Sequence, residues 1–186
     1  MRGTAAIVGM VAVCALGAVV RADITPSLKP GSPTAEGTDY RFTYTSSIGI
    51  DSRADDGDYF VIYDFGGFNG GHTEPAGWDF LAQNSGPVPL GTLPQDDPSI
   101  PNLVWTWTGP SLIGESPLGE FSAVSTYNRL GFDSFAALST RSTGVDIGSD
   151  ISNVGFISVP LVPEPGTVAV LALGALGLMV RRRRTR

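Results

Sequence analysis

Cysteine is nearly absent from this 186-residue chain; the only one is Cys14, inside an N-terminal apolar run. A mature form that begins beyond it has no thiol. That excludes intramolecular disulfides, thiol nucleophiles and cysteine-built zinc sites. Histidine is as scarce, with His72 alone. One imidazole cannot make a multi-histidine metal site, and a serine triad built on it lacks a Gly-x-Ser-x-Gly elbow. His72 follows a glycine run and precedes Glu74, and it reads as a loop residue. Neither a phosphate-cradling loop nor a dinucleotide fingerprint is present. Basic residues are few in the middle of the chain. Between residues 23 and 160, Lys29, Arg41, Arg53, Arg129 and Arg141 stand against 17 Asp and Glu, a net of −12. The whole-chain value of −6 conceals this, because five of the last six residues are arginine. An acidic field repels phosphate backbones, so nucleic acid is not an expected partner.

Long helical periodicity is also missing between residues 23 and 160, and period-two alternation takes its place. Tyr40, Phe42 and Tyr44 alternate with Arg41, Thr43 and Thr45. Leu103, Trp105 and Trp107 alternate with Val104, Thr106 and Thr108. Weaker strands are expected at 121–125, 135–139 and 154–159. Aromatic and β-branched residues at this spacing, bounded by Gly, Pro, Asn and Asp, are strand signals. The segment 59–65 is apolar on both faces, with Tyr59, Val61, Tyr63 and Phe65 opposite Phe60, Ile62 and Asp64, which marks it as a central strand. The expected fold class is therefore all-β, an antiparallel β-sandwich, jelly-roll-like or similar, over residues 23–160. A domain of this size buries about two-thirds of its unfolded surface and folds without metal or disulfide. Residues 66–71 read as a loop, and residues 26–33 as a poorly ordered lead. The stretch 84–101 holds five prolines and is too long for a tight connection, so it either packs over a sheet face or moves freely.

Both ends are specialised. Residues 1–22 read as a signal peptide: Arg2 supplies the positive start, an uncharged run follows, and signal peptidase is expected to cut between Ala22 and Asp23. An uncleaved anchor is the rival reading of this run. At the other end, 161–186, Pro163-Glu164-Pro165 precedes 15 uncharged residues, 166–180, and then Arg181, Arg182, Arg183, Arg184 and the final Thr185-Arg186. As a transmembrane helix, 166–180 spans about 22 Å, short of the roughly 30 Å hydrocarbon core. Local thinning of the lipid and snorkelling arginines close the gap. The prolines place the helix start at or just after Pro165. The arginines put the tail on the cytoplasmic side and the acidic domain outside, the same orientation that the N-terminus predicts.

This order at the C-terminus resembles the PEP-CTERM sorting signal of bacteria that make an extracellular polymeric matrix. Pro163, Glu164 and Pro165 match the motif, 166–180 the helix, and Arg181–Arg184 the basic cluster. The resemblance implies an exosortase, a membrane-embedded, transpeptidase-like enzyme, as partner. It also implies cleavage near the motif and delivery to the envelope or matrix. The central domain is similar to small all-β PEP-CTERM cargo proteins through residues 57–65, 75–78, 101–109 and 118–122. That second resemblance implies a folded domain and no particular chemistry.

Three groups of residues invite a functional reading of the domain. Asp51, Asp55, Asp56 and Asp58 could supply oxygens to calcium. Arg53, however, stands where an EF-hand needs an acid or amide, and Asp56-Gly57 is a plain turn signal; the turn is the preferred reading, and no cofactor is expected. Trp78, Trp105 and Trp107 could stack on sugar rings of a matrix polysaccharide, although tryptophans sharing a strand face belong more often to a core. The 17 acids offer many carboxylate pairs for glycoside hydrolysis, but none is singled out. The leading expectation is a non-catalytic, exported surface or matrix protein, with membrane lipid as a partner. A carbohydrate-binding module is the alternative, and a secreted hydrolase the least favoured.

Overall fold

The computed structural model describes residues 23–114 and 116–162. The signal peptide with Ala22, the motif at 163–165, the helix at 166–180 and the arginine tail lie outside the described residues. Among the described residues there are twelve strands and no helix, hence none long and apolar enough to cross a membrane.

The strands are β1 (Ile24–Leu28), β2 (Thr34–Glu36), β3 (Asp39–Ile48), β4 (Ser52–Ala54), β5 (Tyr59–Ile62), β6 (Phe68–Thr73), β7 (Trp78–Gln83), β8 (Asn102–Trp107), β9 (Leu112–Ile113), β10 (Ser116–Ser125), β11 (Leu130–Arg141) and β12 (Asp150–Pro160). They form two antiparallel sheets. One runs β1-β3-β10-β6, with β2 added to β3. The other runs β7-β8-β5-β11, with β12 on the far side of β11. The long β11 pairs β5 through Phe135–Leu138 and β4 through Thr140 and Arg141, and β4 in turn carries β9.

Alternation in the sequence decides which side chains meet between the sheets. On β3, Phe42 and Tyr44 are fully buried while Thr43 and Thr45 face out. From the other sheet come Phe60, Trp78, Trp105 and Phe135, and from β10 comes Phe121. The Phe60 ring stacks on Trp105 of its own sheet at 5.1 Å and meets Phe121 edge-on at 4.8 Å, and the second contact joins the two sheets. The Tyr44 hydroxyl donates across the layer to the Ser158 carbonyl at 3.0 Å.

β5 lies between β8 and β11, as its two apolar faces predict. Phe60 and Ile62 face the core between the sheets. Val61 and Tyr63 form a second buried cluster with Val104 and Ala136. That outer cluster is covered by the proline-rich segment 84–101. The Tyr63 hydroxyl donates to the Pro87 carbonyl at 2.6 Å, and Gly86 lies so close that a Cβ there would come within 2.6 Å of the Tyr63 ring. Of the two outcomes the sequence allows for this segment, packing over a sheet face is the one found.

Three expectations are corrected. Residues 26–33 are not a loose lead, since Ile24 and Pro26 point inward and Thr25 and Ser27 outward on β1. Pro26 is tolerated because β1 is an edge strand, where a missing N–H costs no ladder bond. Residues 66–71 are not all loop: β6 begins at Phe68 and pairs with β10. Its glycines hide the alternation, yet Gly71 lets β6 approach, because a Cβ there would lie 2.9 Å from Val124. The central strand stops at Ile62 rather than Phe65, because Asp64 takes a left-handed conformation with φ 52°.

Candidate functional site

The tryptophans proposed as a sugar platform are drawn into the protein. Trp105 is fully buried and Trp78 is 5% exposed. Trp107 is half-buried at the end of β8, with Gly77 and Gly109 against its ring; a Cβ on either would come within 2.7 or 2.4 Å of it. Its Nε1 donates to the Pro110 carbonyl at 3.0 Å. Each indole thus packs against other aromatic rings, and that of Trp107 against glycine as well.

Asp55, Asp56 and Asp58 form the turn from β4 into β5, and Asp51 precedes β4. The Asp58 N–H donates to the Asp55 carbonyl at 2.9 Å, and the buried Asp58 carboxylate accepts from the Asp55 N–H at 2.7 Å and Thr140 Oγ1 at 3.1 Å. Burial pushes the Asp58 carboxyl above the usual range. Asp55 accepts from Ser111 Oγ at 2.6 Å and Arg53 Nε at 2.7 Å, and these bonds hold its carboxyl below that range. Asp51 accepts from Thr143 Oγ1 at 2.8 Å, while Asp56 is exposed. Among the described residues no three acidic, histidine or cysteine side chains gather as a metal ion requires. His72 is a strand residue and not the loop residue expected: it stands on β6 opposite Ala123, stacks on Phe80 at 4.0 Å and has Nδ1 2.8 Å from Glu74 Oε2.

A concavity lies elsewhere, at the end of the molecule where β12 finishes. A cleft of about 550 Å³ is lined by Asp64, Asp97 and Asp133, by the rings of Tyr127 and Phe132, and by Val159–Val162. Its floor is built from the exit of β5. An aspartate tolerates φ near +50° better than most residues because its short polar side chain bonds locally. Both Asp64 carboxylate oxygens accept from the Asp97 N–H, at 2.9 and 3.1 Å, and the Asp64 N–H donates to Asn102 Oδ1 at 2.9 Å. Burial pushes the Asp64 carboxyl up to about 6, and the neighbouring Asp133, Asp96 and Asp97 charges push the same way. Asp133 is raised as well, chiefly by burial, while Asp97 is held low by the Ser99 N–H and hydroxyl.

Chemically the cleft is a set of carboxylates tied to their own loops. Asp97 accepts from Ser99, Asp133 from the Ser134 N–H at 2.6 Å, and Asp96 from Asn102 Nδ2 at 2.8 Å. Among the described residues neither histidine nor lysine lines it. The Asp97 N–H on the Asp64 carboxylate and the Gln95 N–H on Ser134 Oγ tie segment 84–101 to the exit of β5 and to β11, beside the root of the tail where β12 ends. The root itself is fastened: the Leu161 N–H donates to the Arg129 carbonyl at 2.7 Å, and Val162 fills the space that a side chain at Gly66 would need. Sequence reasoning missed Asp64 because the residue sits inside an apolar run. The signal that was available is Asp64-Phe65-Gly66-Gly67, turn-forming residues just where the ladder ends.

The sorting tail springs directly from this fastened root. Residues 161–184 match the family model of the PEP-CTERM protein-sorting motif. The chain carries a PEP-CTERM sorting signal. That motif implies export, sorting by exosortase and membrane association through the C-terminus. Its first two positions, Leu161 and Val162, are already part of the folded domain, so no spacer separates the β-structure from the PEP-CTERM segment. No curated protein matches the chain.

Proposed function

We propose that this protein is a non-catalytic structural component of the cell surface or extracellular matrix, a β-sandwich cargo placed there by its PEP-CTERM tail. The observation that carries the reading is the continuity of the matched tail with the domain at Leu161 and Val162. Supporting it, the carboxylates of the cleft serve as acceptors for N–H groups of the loops around them. The tryptophans serve the core. Such a protein contributes bulk, negative charge and a stable fold to its surroundings, and turnover is not expected of it.

The test is made in the native host, on protein recovered from envelope and medium. Intact mass of the wild type should correspond to a chain that has lost residues 1–22 and the tail beyond the motif. Glu164→Ala should leave export intact and block processing, so that the recovered mass retains residues 166–186. Unchanged processing of Glu164→Ala would count against recognition of the motif carboxylate. Recovery of the wild type in the cytosol would defeat the surface assignment altogether.

A further inference from the structure

The two outer faces of the molecule differ in kind. On the sheet β1-β3-β10-β6 the outward side chains are polar, Ser27, Thr43, Thr45 and Ser47 among them, with the Lys29–Glu120 and Arg41–Glu36 ion pairs beside them. The sheet that ends in β12 is apolar outside. Phe132 is 78% exposed and Phe156 72%, and Val154 is exposed on the same face. The register fixes this common side: Phe132 stands opposite Ser158, Ser134 opposite Phe156, and Ala136 opposite Val154. Segment 84–101, which crosses the same face, adds Leu90 and Leu93, each 94% exposed. Its Gln95 N–H bonds Ser134 Oγ at 2.9 Å, which holds the segment against the strand that carries Phe132. A group of large exposed apolar side chains on one face of a folded domain marks a place of interaction.

Where the chain leaves the domain selects the occupant. Only residues 163–165 separate Val162 from the apolar run that starts at Gly166. Four Cα steps reach at most about 14 Å, while a domain of this size has a radius of gyration near 14 Å. A tether so short keeps the domain within about one domain radius of the bilayer, close enough for one face to rest on it. At about 3.3 Å per residue, Phe156 lies about 20 Å back along β12 from Val162, and Phe132, opposite Ser158, about 13 Å. The apolar face therefore begins at the point of attachment and runs away from it along the sheet.

We propose that the outer face of β11 and β12, together with Leu90 and Leu93, lies on the lipid surface, so that the domain reclines against the membrane while its tail is attached. This rests on the reading that the PEP-CTERM tail holds the chain at the membrane. Phe132 and Phe156 enter the headgroup region, as apolar side chains of interfacial proteins do. The domain's net charge of −12 and the exposed Asp79 and Asp97 favour uncharged headgroups over anionic ones. Removal of the tail leaves only this face, so cleavage weakens attachment and frees the domain for the matrix.

The test uses the full chain reconstituted into phosphatidylcholine vesicles. In a Cys14→Ala background, single cysteines from Phe156→Cys, Leu93→Cys and Ser47→Cys carry an environment-sensitive dye. Nitroxide-labelled lipid should quench the dye at positions 156 and 93 several-fold more than at 47, on the polar sheet. Flotation with the vesicles but equal, weak quenching at all three positions overturns the proposal alone. Dye at 156 and 93 that is shielded from water yet unquenched, with cross-links between copies, assigns the face to a second copy and overturns it too. Failure to float overturns the anchoring reading and this proposal with it.

Discussion

Phe60→Ala is expected to destabilise the domain by about 3–5 kcal/mol, a large share of the roughly 5–15 kcal/mol that holds a typical domain folded. Phe60 is fully buried on the central strand β5. Its ring touches Trp78 at 5.7 Å, Trp105 at 5.1 Å and Phe121 at 4.8 Å. Phe121 belongs to the opposite sheet, so removing Phe60 opens a hole at the seam between layers. The neighbouring rings, themselves fixed by contacts such as Trp78–Phe121 at 5.1 Å, leave little room for collapse. Urea unfolding measures the loss, with the midpoint falling at unchanged slope. A loss below about 1 kcal/mol, as for a surface change, would mean that the seam is not where the stability lies. The exposed Phe132→Ser is the control, expected within about 0.5 kcal/mol in the absence of lipid.

The seam was legible because alternation is a local property. Phe42 and Tyr44, Trp105, Phe121 and Phe135 each lie in a short apolar–polar repeat, and each repeat became a strand with the aromatic inside. The central place of β5 was legible for the same reason, since a strand apolar on both faces needs cover on both. What covers the second face was not, because the contact of Gly86 and Pro87 with Tyr63 joins residues more than twenty apart and leaves no periodic trace. β1 and β6 hid behind proline and glycine. Those residues usually break strands, but edge positions tolerate both.

The sorting motif was legible in full, since it is a linear signal read along the chain. The acidic cleft was not. Asp64, Asp97 and Asp133 come from three separate stretches and meet only after β5, β11 and the covering segment have assembled. The sequence shows 17 acids and gives no reason to prefer these. The apolar outer face was obscured differently: Phe132 and Phe156 read as ordinary hydrophobics, and only the register shows that they share one side, exposed.

Asp64→Asn is expected to stabilise the domain at neutral pH and to flatten its response to acid. A carboxyl whose folded value is about 6, against about 3.9 in an unfolded chain, binds its proton more tightly when folded. Protonation therefore favours the fold. As pH falls from above 6 to below 4 the wild type gains stability, up to about 3 kcal/mol for a shift of this size. Asp58 and Asp133, also raised by burial, act in the same direction. Glu36, Asp55 and Asp97 are lowered and act oppositely, but only below their unfolded values and hence at the acid edge of this window. Asparagine keeps an oxygen for the Asp97 N–H, tolerates φ 52° and carries no charge to bury. Its variant should match the acid stability of the wild type at pH 7, exceeding the neutral wild type by about 2–3 kcal/mol. Asp64→Ala, with neither acceptor nor left-handed preference, should lose stability instead. Thermal melts of the three proteins at pH 4.5, 6 and 7.5 separate these outcomes. A wild type that weakens steadily on acidification across that range would show that the Asp64 carboxyl is not held near 6.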